Sequence, residues 1–289
     1  MTFPNGVVLK VIEYCGNGNI KLLSDFLNKH NINLNKVKIN IKKNESDKRR
    51  QYEHVRRMCY KNELCFISND EKEEFCFLKI FCLQISCSCK NIELCDWLYQ
   101  NFEFNRNDII VDDNYLFRKM FMNGYLESSQ WLHKNFNFSK KESLLGSKNA
   151  LNIVCSNIFP NKTFLQLSWL INTFKYEKTD IAYNINDESY ENNSFAVICD
   201  SGNFEVCEWF FFHFNLCYKD IKHDYYIALR CALYKNNVKI VTFLFEHGGL
   251  TKDDIDILKD SDLLDDDQIR QLQEIFESCK VFGSFSKPV

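Results

Sequence analysis

Four cysteines cluster in one short stretch of the chain and could together ligate a metal. They are Cys82, Cys87, Cys89 and Cys95. Four thiolates can hold zinc in a tetrahedral site, but such sites usually present C-x2-C pairs on turns, commonly with histidine. This stretch has neither feature. A free cysteine otherwise packs as a small hydrophobic residue, and we favour that interpretation because these positions follow the apolar pattern described below. We therefore expect no metal ion and no cofactor.

A second candidate is an aspartate that recurs along the chain, each time followed by isoleucine. It stands at Asp108, Asp180, Asp220 and Asp254. Repeated carboxylates could bind cations. Alternatively, each aspartate accepts backbone N–H groups in a local turn while the isoleucine fills the boundary with the next repeat. Recurrence at one repeat position favours the turn.

A third candidate is basic. Residues 36–57 carry a clear excess of lysine and arginine over acidic residues. Such an excess could contact nucleic-acid phosphates or an acidic protein surface. The alternative is a solvated insertion loop followed by the basic face of a helix, and we favour it over nucleic-acid binding. As a contact for a protein partner, the segment is the best-localised candidate. Its candidate binding residues are Lys42, Lys43, Lys48, Arg49, Arg50, Arg56 and Arg57.

Motifs of catalysis are missing from the sequence. It contains no phosphate-binding G-x-x-x-x-G-K-[ST] loop, no G-x-G-x-x-G and no H-E-x-x-H. Its six histidines show no Ser-His-Asp or Cys-His arrangement. We therefore predict a protein that is not an enzyme and has no small-molecule substrate.

The composition favours a folded, helical chain. Of 289 residues, 45% are hydrophobic and 26% charged, with only 3 Pro and 9 Gly for tight turns. The net charge of −3 selects no class of partner. The 14 cysteines are widely spread, and neither a signal-peptide pattern nor a membrane-spanning apolar window occurs. We expect a reducing setting, cytoplasmic or nuclear, with no secretion and no membrane insertion.

One aromatic position repeats along the chain, and it holds all four tryptophans. Successive copies are separated by 34, 38, 40 and 34 residues. The copies are Trp97, Trp131, Trp169, Trp209 and Phe243, in the segments 90–109, 124–143, 162–181, 202–221 and 236–255. A weaker copy in 18–36 has Asp25 at this position. Such a period with one hydrophobic signature predicts a solenoid, in which these aromatic residues form a column.

Each copy has helical periodicity. In the copy 202–221, Phe204, Cys207, Phe210, Phe211 and Phe214 fall at i, i+3, i+6, i+7 and i+10. The tryptophan at i+5 lies off this stripe, so the helix packs on two sides. An apolar segment that ends in Gly or Asn precedes each copy, where a left-handed cap can close a turn. The predicted unit is helix, tight turn, helix and a longer polar loop.

The chain divides into five parts on this basis. Residues 1–36 form an N-terminal cap and a first weak repeat, 37–74 a basic insertion or degenerate repeat, and 75–255 the repeat array. Residues 256–279 form an acidic C-terminal capping helix, because Asp265 to Asp267 precede an apolar stripe. Residues 280–289 form a tail.

The turn and second helix resemble an ankyrin-repeat family, through DSGNFEVCEWF, CSCKNIELCDWL and YKNNVKIVTFLFEHG. Trailing elements such as NFEFNRNDI and HFNLCYKDI look like the variant abundant in giant DNA viruses of amoebae. The family's T-P-L-H start of the first helix is missing, Pro160 sits in an expanded turn, and the loops are long. The resemblance implies an all-α, ankyrin-like solenoid of about six to seven helix-turn-helix repeats with capping helices.

The resemblance also implies a function. It points to a non-catalytic protein–protein interaction module, in a viral protein or adaptor that engages a host partner. One alternative is a structural or virion-associated scaffold. A third is nucleic-acid binding through residues 36–57, which predicts an affinity that falls steeply with salt.

Overall fold

The structure is a computed structural model. It describes residues 5–36, 38–40, 75–145, 149–156, 160–182, 193–261 and 263–281. The candidate basic patch lies outside these residues in all its members, Lys42, Lys43, Lys48, Arg49, Arg50, Arg56 and Arg57. Most of the basic insertion or degenerate repeat predicted at 37–74, and the tail from residue 282, also lie outside them.

The chain separates into two compact units, residues 1–137 and 138–289, and this division falls inside the segment 75–255. The first unit contains the elements α1 (Asn5–Gly16), α2 (Ile20–Lys29), β1 (Lys38–Asn40), β2 (Phe75–Phe77), α3 (Leu78–Ser88), α4 (Ile92–Asn101), α5 (Arg106–Ile109), α6 (Val111–Met122) and α7 (Leu126–Phe136). The second contains α8 (Lys140–Ser143), α9 (Ala150–Cys155), α10 (Pro160–Phe174), α11 (Lys178–Ala182), α12 (Ser194–Ser201), α13 (Phe204–His213), α14 (Tyr218–Tyr234), α15 (Val238–Gly248), α16 (Lys252–Asp260) and α17 (Asp266–Val281).

The predicted all-α class is confirmed, since helices dominate the described residues. The one addition is a short antiparallel pairing of β1 with β2, in which Lys38 stands opposite Phe77. Among the described helices, none combines the length and hydrophobicity that a bilayer crossing requires.

The helices of each unit form hairpins whose members pack in two rows. In the first unit, the leading helices α1, α3 and α6 pack in succession, and the second helices α4 and α7 pack against each other. In the second unit, α9, α12 and α14 form the leading row, and α10, α13 and α15 form the second row. Counting within the described residues gives six hairpins, from α1–α2 to α14–α15.

Asparagine and left-handed residues close the hairpin turns. The side-chain oxygens of Asn19, Asn91 and Asn203 accept the N–H groups of Leu22, Leu94 and Val206 at the starts of second helices. This satisfies helical donors that have no partner within the helix. The residue before the cap has positive φ at Gly18, Lys90, Gly124, Gly202 and Asn236. The predicted Gly or Asn cap therefore occurs in four of these turns. In the fifth, Lys90 adopts the same left-handed conformation, although its Cβ atom makes that conformation less favourable than it is for glycine.

The described trailing segments contain four short helices that the sequence analysis did not predict, α5, α8, α11 and α16, and a fifth such turn begins α14, whose backbone leaves helical geometry from His223 to Tyr226. In each, an acidic side chain accepts the backbone N–H of the residue three positions earlier, which caps the helix start. The five pairs are Asn105 to Asp108 at 3.2 Å, Ser139 to Glu142 at 2.7 Å, Glu177 to Asp180 at 2.6 Å, Cys217 to Asp220 at 2.7 Å and Thr251 to Asp254 at 2.7 Å. The isoleucines that follow the aspartates are buried, at Ile109, Ile181, Ile221 and Ile255. These contacts agree with the architectural interpretation of the recurring aspartate.

Two boundaries differ from the expected ones. Pro160 begins α10 instead of lying in a turn, because proline is well tolerated in the first turn of a helix. At the C-terminus, residues 256–260 end α16, and the capping helix α17 begins only at Asp266. Asp265 caps α17, since its carboxylate accepts the N–H of Gln268 at 2.8 Å. The predicted stripe of α17 is buried at Ile269, Leu272, Ile275 and Phe276.

Candidate functional site

Each residue of the repeating aromatic position lies on a second helix. Trp97 is on α4, Trp131 on α7, Trp169 on α10, Trp209 on α13 and Phe243 on α15. Trp131 and Phe243 are buried, whereas the other three are half-buried. This repeat position therefore lies at the edge of the packed core, where it is buried in two repeats and partly exposed to solvent in three.

In the second unit, this aromatic residue packs on the residue at position i of the preceding second helix. Trp209 meets Phe164 edge to face at 5.9 Å between ring centroids, and Phe243 meets Phe204 at 5.7 Å. Such edge-to-face pairs contribute about 0.5–1.5 kcal/mol beyond the burial of their area. The repeated contact fixes the side-by-side arrangement of α10, α13 and α15.

In the first unit, Trp131 makes the corresponding inter-helix contacts with α4. Its indole N–H donates to Asp96 Oδ1 at 2.7 Å, and its ring meets Tyr99 edge to face at 5.9 Å. The hydrogen bond satisfies the indole donor of a side chain that is only 6% exposed. A tryptophan is thus held between successive second helices here as well.

Phe212 lies outside this packing. It stands at i+8, which the sequence pattern places near the edge of the buried stripe, yet it is 55% exposed. Its ring meets three others at close to right angles, those of Phe211, Phe243 and His247, at 5.5–5.8 Å between ring centroids. A large aromatic side chain is therefore fixed in place by its neighbours while more than half of it contacts solvent.

Two exposed histidines extend this surface. The His213 ring stacks on Trp209 at 4.5 Å and 18°, and the His247 ring lies 4.7 Å from Phe243. The two histidines occupy the same repeat position, i+9, on α13 and α15. Each is in the last turn of its helix, where a histidine interacts favourably with the helix dipole.

Two aliphatic side chains on the same row of helices are also exposed. Leu165 on α10 is 66% exposed, and Val238 on α15 is 43% exposed. We name this surface of the second unit the aromatic face. It comprises Leu165, Trp209, Phe212, His213, Val238 and His247, and the buried Phe243 supports it through its contacts with Phe212 and His247.

Acidic side chains flank the aromatic face. Glu205 and Glu208 on α13 are exposed, and Glu246 on α15 is half-buried. The basic neighbour Lys239 lies 3.9 Å from Glu205 and 3.7 Å from the centroid of the Phe204 ring. On the second helices of this unit, α10, α13 and α15, the described charged side chains apart from the histidines are three acidic and one basic: Glu205, Glu208 and Glu246 against Lys239. The field at this surface therefore attracts cations.

The cysteines that could have formed a metal site belong to the core. Cys82, Cys87 and Cys95 are fully buried, and Cys89 is half-buried. A thiol hydrogen bond between Cys87 and Cys95 at 3.7 Å, together with burial, raises the pKa of Cys87 well above its usual range. A protonated thiol is a poor nucleophile and a poor metal ligand. Over the part of the chain that the structure describes, no group of three or more His, Cys, Asp or Glu could hold a metal ion.

The sequence analysis missed the aromatic face, although a signal for it exists. At i+8, where Phe212 stands, the sister copies carry Gln100, Lys134, Asn172 and Glu246. At i+1, Leu165 replaces the glutamate found as Glu93, Glu127 and Glu205. An apolar residue at a position that is polar in the other copies indicates a surface with a purpose other than packing the repeat.

Comparisons of the chain with protein-family models, with curated proteins and with solved structures found no match. The function is therefore inferred from the residues and their geometry.

Proposed function

We propose that the chain is a non-catalytic protein-interaction module, built as an ankyrin-like solenoid, and that the aromatic face is its contact surface. The observation that carries this proposal is the exposure of Phe212, Leu165 and Val238 together on the row of second helices α10, α13 and α15. Leaving large apolar side chains in water costs free energy, and exposed apolar patches with a polar rim mark interaction sites in soluble proteins.

The aromatic face has the composition of a protein interface. Tryptophan and other aromatic residues are enriched at binding hot spots, where an anchor is surrounded by residues that exclude water. Phe212 is held by Phe211, Phe243 and His247, so binding would not have to order it. A side chain already fixed in place loses little conformational entropy on association.

Repetition of the local structure supports the ankyrin-like solenoid. Six hairpins occur in the described residues; five of their turns contain a residue in the left-handed conformation, and an acidic side chain caps the helical turn that follows each of the last five hairpins. Each hairpin packs against its sequence neighbour within its unit, which is how solenoid repeats bury a continuous core. The six hairpins agree with the proposed six to seven repeats.

The setting of this module is also part of the proposal. All eleven cysteines that the structure describes are free thiols. This supports a reducing compartment inside the cell. The resemblance of the trailing elements to repeats of giant viruses supports a viral protein or adaptor that engages a host protein.

The test is quantitative affinity capture with matched variants. The tagged chain, its Leu165→Ser/Phe212→Ser variant and a Lys219→Ser control would be captured from the same expressing cells and compared by mass spectrometry. Lys219 is exposed on α14 and does not belong to the aromatic face. We expect at least one protein to be captured with the wild type and the control and lost with the double variant. Equal recovery of every captured protein with all three chains would refute the proposal.

A further inference from the structure

We infer that the aromatic face binds a cationic amphipathic helix of its partner, whose apolar side chain packs on Phe212 and whose basic side chains meet Glu208 and Glu205. This inference rests on the proposed function, because it takes the aromatic face to be a protein contact surface. It adds the chemistry and the residue spacing of the partner.

The apolar anchor follows from the geometry of Phe212. Its three ring neighbours stand at 79–88° to it, and the side chain is 55% exposed. The exposed part offers an incoming aliphatic or aromatic side chain a preformed apolar contact. His247 extends that contact along α15, and the buried Phe243 supports the Phe212 ring, so the anchor residue would meet rings on one side.

The charge of the partner follows from the acidic rim. Glu205 and Glu208 are exposed on the same helix as Phe212. Apart from His213 and His247, the only described basic side chain on α13 and α15 is Lys239, which is already close to Glu205 and to the Phe204 ring. Phosphates of a nucleic acid, an anionic lipid surface and an acidic peptide would all be repelled here, whereas lysine and arginine side chains would be attracted.

The spacing of the partner's residues follows from α13. Glu208 precedes Phe212 by four residues and Glu205 precedes it by seven. These separations are about one and two helical turns, roughly 6 and 10 Å along the axis. A partner helix that carries basic residues four and seven positions from an apolar anchor can therefore place both beside the two glutamates. Such i, i+4, i+7 anchors are typical of helices that lie along a partner's surface.

The experiment measures peptide binding to the full-length chain by fluorescence anisotropy. One probe is a helical peptide of about 14 residues with a leucine stripe and lysines at four and seven positions from a central leucine. The matched probe has glutamate in place of each lysine. We expect the lysine peptide to bind at least about tenfold more tightly, and its affinity to fall between about 50 mM and about 300 mM salt.

Variants locate the binding. Phe212→Ser and Glu205→Gln/Glu208→Gln should each weaken the lysine peptide by at least about fivefold, an effect of the size seen for interface anchors. The matched control is Glu274→Gln/Glu277→Gln, which removes the same charge from the exposed side of α17 and should leave the affinity within about twofold. Thermal unfolding verifies that each variant is folded.

Three results would overturn the inference. They are equal binding of the two peptides, unchanged binding in the Phe212 variant, and equal weakening by the α17 control, which would show general attraction to an acidic protein. The proposed function is judged separately by affinity capture. A captured protein that is lost with Phe212→Ser but retained with Glu205→Gln/Glu208→Gln supports the interaction module and overturns the cationic partner.

Discussion

Lys178 Nζ lies 2.6 Å from Asp220 Oδ2, and the same ammonium group donates to the carbonyl oxygen of Asn215 at 3.1 Å. The two residues belong to successive repeats of the second unit. One repeat earlier, Lys140 meets Asp180 at 2.5 Å and the carbonyl of Lys175 at 3.3 Å. At these two boundaries the capping aspartate therefore also receives a lysine from the preceding repeat.

This relationship predicts that Lys178 stabilises the repeat boundary. Asp220 is 2% exposed, so removal of the ammonium group leaves a shielded carboxylate without its cation. Because Lys178 is itself about one third exposed, we expect Lys178→Met to lower the free energy of unfolding by about 1–2 kcal/mol. Urea unfolding followed by circular dichroism measures it. Lys219→Met, an exposed neighbour, is the control, and equal effects of the two substitutions would contradict the prediction.

At the last repeat boundary, tyrosines instead of a lysine contact the capping aspartate. This arrangement predicts that the stability of the fold depends on pH. Asp254 accepts hydrogen bonds from Tyr218 at 2.7 Å and Tyr226 at 2.5 Å, and from the N–H of Thr251. Burial alone would raise the pKa of Asp254, but these hydrogen bonds outweigh it and hold the pKa below its ordinary value. Its ionised form therefore stabilises the fold above the unfolded pKa of about 3.9, and this contribution is lost as the pH falls through the folded pKa.

Accordingly, Asp254→Asn should lower the free energy of unfolding by about 1–3 kcal/mol at pH 7. The deficit should shrink as the pH falls below about 4. Urea titrations at several pH values measure the difference in unfolding free energy between the variant and the wild type. Asp253→Asn, at an exposed neighbouring position, should change little. A deficit that stays constant down to pH 3 would show that the carboxylate charge is not what stabilises this boundary.

Cysteine reactivity should follow burial. Cys217 is exposed, whereas Cys199 and Cys207 are buried and lie 4.0 Å apart between their Sγ atoms. Burial and the hydrogen bond with Cys207 raise the pKa of Cys199, so little thiolate forms. Site-resolved alkylation with mass spectrometry should show that Cys217 is alkylated at least about a hundredfold faster than Cys199 in the native chain. Similar alkylation rates of the two cysteines in the native chain would contradict the burial of Cys199 in the core. Urea-denatured protein, in which both thiols are accessible, is the control.

Gly248 provides a steric test of the repeat boundary. A Cβ atom at this position would collide with Cδ1 of Ile221, which is fully buried. Gly248→Ala should therefore cost about 1–3 kcal/mol of unfolding free energy. In an Ile221→Ala background the additional cost should be smaller, because the colliding atom is gone. Additive effects in this double-mutant cycle would show that the two residues are not in contact.

The long, periodic helices could be predicted from the sequence, whereas the short ones could not. Phe204 to Phe214 repeat at helical spacing over three turns, which is enough for the pattern to identify α13. The helix α5 has only four residues and carries no such pattern. Its capping aspartate was identified as a turn residue, but the helix itself depends on the hydrogen bond between Asn105 and Asp108.

The candidate site depends on relationships that a periodic pattern does not contain. Phe212 is close to the apolar stripe by angle, yet it is exposed because α15 covers only one edge of its ring, through Phe243 and His247. Tertiary packing decides which side of a helix remains exposed. The sequence signal for an exposed Phe212 was the comparison of the copies at i+8, because the other copies carry polar residues at that position.

The most direct test of the central claim is site-specific photo-crosslinking in cells that express the chain. A photoreactive phenylalanine analogue would replace Phe212 in one chain and, as controls, Lys219 or Lys259 in two others. If the aromatic face is the contact surface, position 212 will crosslink a discrete protein partner and the two control positions will not. A partner crosslinked from the control positions but not from position 212 would contradict the claim.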